Sequence, residues 1–274
     1  LVGTSIAEFE GSFRPLIALL ALVVSLSLQV GVNYANDYSD GIRGTEENRV
    51  GPVRLVGQKL ATPEEVKRAA FIAFGISALA GLGMVLISQY WLLIPIGIAS
   101  IAAAWFYTGG SKPYGYAGYG ELFVFVFFGL VAVAGTSASQ TGQVTVLALL
   151  GGVACGALST AILVANNLRD IPTDEKSGKR TLAVRLGDSK TRELYRACIM
   201  VAFFMPLAMN FSEAGPESAF IGLFAILSAR RPLQVVRSGA TGPDLIPVLV
   251  ETAKVLLLFS GMLSVAIWLS PNGL

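Results

Sequence analysis

The sequence predicts an all-α membrane protein, and three observations predict it. Apolar residues make up 54% of the 274 positions and charged residues only 14%, where an average soluble chain carries roughly 25% charged residues. Apolar runs near the length that carries a helix across a bilayer, about 20 residues, recur along the chain. The basic residues collect in every second connection between those runs, as sidedness in a membrane requires. A net charge of +2 is too small for the counterion-releasing contacts that hold DNA or RNA, so nucleic acid is excluded as a primary partner.

The elements follow in order. Leu1–Ala7 is apolar but too short to cross, lacks the basic flank of a secretory signal, and is read as the end of a truncated first span. The next candidate, 13–36, runs into a long connection, 37–64, holding Arg43, Arg49, Arg54 and Lys59. Candidates 65–88 and 91–107 are joined by a short turn at Gln89, and Lys112 marks the way to 118–138. A turn at Gln140 leads to 144–168. The connection 169–189 then opens a run of basic residues from Arg169 to Arg196 that extends into the candidate at 190–211. Glu213 and Glu217 precede 217–230, and Arg230, Arg231 and Arg237 lie before the last candidate, 245–269. Of the 20 Lys and Arg residues only Arg14 and Lys254 depart from the alternation. The positive-inside rule places the basic connections in the cytoplasm, and a missed or invented span would have put them on both faces. The chain is expected to form one domain over 1–274. Its chemistry is expected on the two long cytoplasmic connections, because the loops on the other face are too short to build a site.

The chain has no histidine and two cysteines, Cys155 and Cys198, both in apolar stretches. Ser–His and Cys–His nucleophiles, His-ligated zinc or haem and histidine proton relays are therefore excluded. The cysteines read as small buried hydrophobes.

Two acidic clusters remain, each at the cytoplasmic end of a span. In the first, Asn33, Asn36, Asp37 and Asp40 precede Gly41 and Gly44. If the helix continues to Asp40, Asn36 and Asp40 lie one turn apart on one face, and the glycines are natural stops. In the second, Asn166, Asp170 and Asp174 repeat at the same four-residue spacing. Pro172 leaves two geometries open for Asp174, a regular turn or a kink, because proline removes a backbone donor and disfavours helix at the residue before it. Carboxylates and amide oxygens without His or Cys are the ligand set of a hard cation such as Mg²⁺, which shares its shell with phosphate oxygens. Arg43, Arg49, Arg54, Lys112, Lys176, Lys179 and Arg180 stand nearby as donors for a polyanion. Metal ligands and bases together point to a diphosphate.

The segments Asn36-Asp37-Tyr38-Ser39-Asp40-Gly41-Ile42-Arg43-Gly44-Thr45, Arg49-Val50-Gly51-Pro52-Val53-Arg54, Asn167-Leu168-Arg169-Asp170-Ile171-Pro172-Thr173-Asp174 and Gly178-Lys179-Arg180-Thr181-Leu182-Ala183 resemble those of the UbiA-type intramembrane prenyltransferases. Within that family the likeness is greatest to the branch that prenylates 1,4-dihydroxy-2-naphthoate in menaquinone biosynthesis, and Gly120-Glu121-Leu122-Phe123 agrees with it. The resemblance implies a ring of nine helices around a lipid-open cavity in the membrane of a prokaryotic cell. It implies two Mg²⁺ ions on Asn36, Asp40, Asp170 and Asp174, bridging the diphosphate of a polyprenyl donor. It also implies Tyr107 and Lys112 beside that diphosphate, with Lys179 and Arg43 neutralising its charge. Many relatives carry a third acid where this chain has Gly44, which leaves open whether Glu46 or Glu47 substitutes. Glu121 has two readings, facing the cavity or capping its helix start. Glu251 and Lys254, three apart in the last span, read as a structural ion pair, and Phe123–Phe128 as packing or lipid-facing aromatics. Other acceptors, among them 4-hydroxybenzoate and homogentisate, and a secondary transporter are the alternatives. The transporter fits less well, because its ionisable groups belong near the midplane and not at span ends.

Overall fold

A computed structural model describes residues 1–44, 54–212 and 215–270. Among the described residues there is no strand, and besides single helical turns at Gly115–Ala117 and Gly242–Leu245 nine helical segments follow one another in sequence. They are α1 (Val2–Phe9), α2 (Pro15–Ile42), α3 (Pro63–Ser88), α4 (Leu93–Phe106), α5 (Gly120–Thr141), α6 (Val146–Lys176), α7 (Leu182–Asn210), α8 (Glu217–Arg237) and α9 (Ile246–Leu269). Six of them, α2, α3, α5, α6, α8 and the helical stretch ending in α9, are long and apolar enough to cross a membrane, and the protein is an integral membrane protein.

Local chemistry fixes several starts. Thr62 and Glu65 form a capping box at α3: the Glu65 N–H donates to Thr62 Oγ1 at 3.3 Å, and the Thr62 N–H donates to Glu65 Oε2 at 2.8 Å. Thr145 and Thr181 accept from the third residue of α6 and α7 at 3.2 and 3.4 Å, satisfying donors that a helix start leaves open. Four boundaries differ from the sequence reading by six residues or more, and two of them are the ends of α2 and α6, at Ile42 and Lys176 instead of 36 and 168. Helix α7 begins at Leu182, eight residues before the expected 190, and bends at Gly187, whose φ is +76°. Its first half carries Arg185, Asp188, Lys190, Arg192 and Arg196, so hydropathy alone reads it as a connection. Helix α8 reaches Arg237 because its charged last turns are also helical.

Helix α2 packs against α3, α4 and α5, α1 bridges α5 and α9, and α6 packs against α1, α5, α7 and α9. Helix α6 is the most enclosed of the spans. Its side chains Leu158 and Val164 join Tyr195, Ile199, Phe259 and Leu263 in the main apolar core. Close packing against α5 depends on glycine. A Cβ on Gly129 would lie 2.4 Å from the Gly156 Cα and 2.5 Å from the Gly152 carbonyl oxygen. Small residues four apart let helix backbones approach where lipid removes any hydrophobic drive to associate. The backbone of α5 adopts a π turn over Phe125–Val131 at this crossing.

The outer faces of the spans carry exposed apolar side chains, with Leu19, Leu22, Leu79 and Leu257 each more than half exposed. Cys155 is buried and unpaired, and Cys198 is half-buried and unpaired. The expected Glu251–Lys254 pair is corrected. Glu251 instead meets Arg231 Nη1 of α8 at 3.1 Å, while Lys254 lies exposed. Spacing along one helix did not reveal the neighbouring helix that supplies the nearer cation.

Candidate active site

Helix α2 continues past Asp40 to Ile42, so Asn36 and Asp40 do share a face. Helix α6 runs through Pro172 to Lys176, which settles the open geometry in favour of continued helix, and it buries Asp170 and Asp174. The two helix ends meet across a polar cavity of about 470 Å³ whose wall includes Asn36, Asp40, Asn166, Asp170, Asp174 and Lys179. The two motifs lie 130 residues apart in sequence and face one hollow.

The carboxylates are held by near neighbours. Asp40 Oδ1 lies 3.5 Å from Lys179 Nζ and accepts the Tyr116 hydroxyl. Burial first, and the Asp40 charge second, raise the Tyr116 phenol above its ordinary pKa, so it stays protonated and donates. Asp170 receives Arg169 in a two-pronged pair, Nε to Oδ1 and Nη2 to Oδ2, both at 2.7 Å, and Arg169 Nη2 also donates to Asn166 Oδ1 at 3.0 Å. Asp174 Oδ2 accepts from Thr181 Oγ1 at 3.4 Å, and its carbonyl accepts the Lys179 N–H at 2.9 Å. Asn36 Oδ1 accepts from Thr108 Oγ1 at 2.9 Å.

A second cavity of about 470 Å³ adjoins the first. Its wall is mostly apolar, drawn from α2, α3, α4, α5 and the α4–α5 connection, and Asn36 and Tyr107 belong to both walls. It follows α2 from Asn36 to Ala21, roughly 22 Å at 1.5 Å per residue. Leu82, Ile98 and Phe128 line it and are also exposed, so the chamber opens toward lipid.

The remaining sequence candidates divide. Arg54 lines the polar cavity. Asn33 lines the apolar one and donates to the Gln29 carbonyl at 2.9 Å. Asp37 turns away from the cavity and fastens the returning connection to α2, accepting the Leu55 and Val56 N–H groups at 2.7 and 3.2 Å. Arg43 donates to the carbonyls of Thr108 and Gly110. Glu121 is buried and accepts Asn167 Nδ2 at 2.9 Å, behind the cavity wall. Lys112 and Arg180 are exposed and absent from the residues around the polar cavity. Proximity to a span end counted them in, and side-chain direction leaves them outside. Arg49, Glu46 and Glu47 lie outside the described residues.

Thr108, Tyr116 and Arg169 were not singled out. Arg169 sits inside the second motif, and its adjacency to Asp170 was the available signal. Thr108 and Tyr116 lie 72 and 76 residues from their partners, and no local pattern marks them. Arg169 is 5% exposed, so Arg169→Leu would leave the Asp170 charge buried without its chelating partner. The expected cost is about 3 to 5 kcal/mol, read as an early thermal transition of the detergent-purified protein. A transition unchanged from wild type would remove the pair from the framework of the site.

Fold and site together define an intramembrane helical protein in which a polar cavity lined by carboxylates and Lys179 adjoins an apolar chamber open between helices. Residues 1–241 match the UbiA prenyltransferase family, and the chain belongs to it; it is a prenyltransferase. The chain is 54% identical over 243 residues to the 1,4-dihydroxy-2-naphthoate octaprenyltransferase of Mycobacterium tuberculosis (strain H37Rv), covering 89% of this chain and 82% of that protein. It is 41% identical over 215 residues to the protein of the same name from Escherichia coli K12, covering 76% and 70%. UbiA prenyltransferase domain-containing protein 1 of Gallus gallus is 27% identical over 216 residues, covering 77% and 64%.

Proposed function

We propose that this chain transfers a polyprenyl group from an allylic polyprenyl diphosphate to 1,4-dihydroxy-2-naphthoate with loss of CO₂, giving demethylmenaquinol, and that it does so at the cytoplasmic face of the cell membrane. The observation that carries the reading is the joining of a carboxylate-lined polar cavity to an apolar, lipid-open chamber at Asn36 and Tyr107. The names of the relatives at 54% and 41% identity supply the acceptor. The whole chain is read as one domain whose catalytic segments are 37–64 and 169–189.

The donor set fits Mg²⁺. Asp40, Asp170, Asp174 and Asn36 present oxygen to one cavity, and among the described residues no three His, Cys, Asp or Glu side chains gather closely enough to hold a metal ion by themselves. That suits an ion that keeps waters and completes its shell with phosphate. Two such ions, when bound on Asn36 with Asp40 and on Asp170 with Asp174, supply positive charge to the departing diphosphate. Lys179 and Arg54 add cations to the same hollow, where preorganised charge contributes most to a transition state that builds negative charge. Lys112, Arg43 and Arg180 remain proposed second contacts to the diphosphate, reached only if their side chains swing inward. The apolar chamber holds the prenyl tail and keeps water from the allylic cation. The naphthoate ring attacks that cation at the carbon bearing the carboxylate. Departure of CO₂ returns its bonding electrons to the ring and restores aromaticity, so no protein nucleophile is required.

Purified protein with Mg²⁺, dihydroxynaphthoate and prenyl diphosphates of several lengths is expected to yield the decarboxylated prenyl naphthoquinol by mass spectrometry. Prenylated 4-hydroxybenzoate or homogentisate as the main product, in parallel reactions, would overturn the acceptor. Cation-driven flux in proteoliposomes without diphosphate release would overturn the reaction class.

A further inference from the structure

We propose that Tyr116 is the outer partner that orients Asp40 as a metal ligand, by donating its phenol O–H to Oδ1 and so fixing the direction in which the carboxylate meets a divalent ion. The proposal rests on the reading of Asp40 as a ligand given above.

Three features set Tyr116 apart from an ordinary loop aromatic. It lines the polar cavity, on a single helical turn, Gly115–Ala117, between α4 and α5. That turn is anchored at several points. The Gly115 N–H donates to the Tyr107 carbonyl at 3.0 Å, the Tyr116 carbonyl accepts the Arg180 N–H at 2.9 Å, and Tyr114 Oη donates to the Ala103 carbonyl at 2.8 Å. Its ring has Lys179 Nζ at 4.5 Å and the Arg43 guanidinium at 5.4 Å from the centroid, contacts that favour a fixed ring position. Lys179 also reaches Asp40 Oδ1, at 3.5 Å, but on a flexible four-carbon stem suited to following a charge as it moves. The phenol is therefore the rigid member of the pair and the ammonium the movable one. One residue thereby ties together the end of α2, the α4–α5 connection and the segment after α6, the three pieces of chain that build the cavity.

Carboxylates that bind metals are commonly held by such an outer hydrogen bond, and removing the partner typically weakens metal binding by about 10- to 100-fold. Tyr116→Phe deletes the hydroxyl and keeps the ring between its two cations. The test is Mn²⁺ binding to the full-length protein in detergent with inorganic pyrophosphate, followed by electron paramagnetic resonance of the free ion. Thermal scans and metal titrations of prenyl transfer accompany it. The variant is expected to raise the Mn²⁺ Kd by about 10- to 100-fold, to unfold at the wild-type temperature, and to recover turnover as the metal concentration is raised. A Kd within twofold of wild type, or lost turnover that added metal does not restore, overturns the proposal. Should Tyr116→Phe unfold early, Tyr116→Gln and Tyr116→Leu decide. Tighter binding by the glutamine variant, which keeps a donor, supports the role, and equal binding overturns it. Asp40→Asn runs alongside. If that variant binds Mn²⁺ as wild type does, the ligand reading itself fails; if it binds weakly and Tyr116→Phe does not, only the role of Tyr116 fails.

Discussion

Asp40→Asn is expected to reduce prenyl transfer by about 100-fold or more, the loss seen when a preorganised electrostatic contact to a transition state is removed, while the protein still inserts and folds. The substitution keeps side-chain volume and one oxygen acceptor, so the Tyr116 hydroxyl retains a partner and only the charge is lost. That charge holds Lys179 at 3.5 Å and is proposed to hold a metal ion when the diphosphate arrives. Asp170→Asn should cost as much activity, but it also leaves Arg169, which chelates Asp170 through two 2.7 Å contacts, buried beside a neutral amide. Activity and thermal stability are thus expected to fall together at Asp170 and to separate at Asp40. Turnover above a tenth of wild type with saturating Mg²⁺, in purified Asp40→Asn protein of normal thermal stability, would refute the metal assignment.

Gly129→Ala is the second large effect, and it acts on the fold. Its new Cβ would stand 2.4 Å from the Gly156 Cα and 2.5 Å from the Gly152 carbonyl oxygen. Both are backbone atoms that no rotamer change can move, so α5 and α6 must separate. Overpacking that does not relax typically costs about 1 to 3 kcal/mol, and this contact lies at the upper end because α6 is the span most enclosed by others. Gly97→Ala is the control, since a Cβ there meets nothing within 4 Å. The measurement is thermal unfolding in detergent. The Gly129 variant is expected to unfold well below wild type and the Gly97 variant at its temperature. Equal transitions for the two would show that the α5–α6 crossing yields without cost.

The spans were legible because a helix must remain apolar for about 20 residues to cross hydrocarbon, a constraint strong enough to survive without neighbours. Legibility failed where apolarity gives out: the charged first half of α7 and the last turns of α8 are helical, and composition alone reads them as connections. The acidic motifs were legible because oxygen ligands four apart on a helix share a face whatever surrounds it. Their bases were not equally legible. Lys179 lies on Asp40, whereas Lys112 and Arg180 lie exposed, yet all three satisfy the same rule of positive charge beside a span end. The rule concerns chain topology and is blind to where a side chain points.

The amino-acid order alone thus determined the membrane class, the expected sidedness and the four residues of the two oxygen-rich motifs, because each follows from periodicity or local composition. Only the packed helices decided what those residues face. It paired Glu251 with Arg231 instead of Lys254, placed Tyr116 on Asp40 across 76 residues, and joined a polar hollow to an apolar chamber at Asn36 and Tyr107. Those relations depend on which helices pack side by side, and packing of distant segments leaves no mark in the local pattern of a single chain.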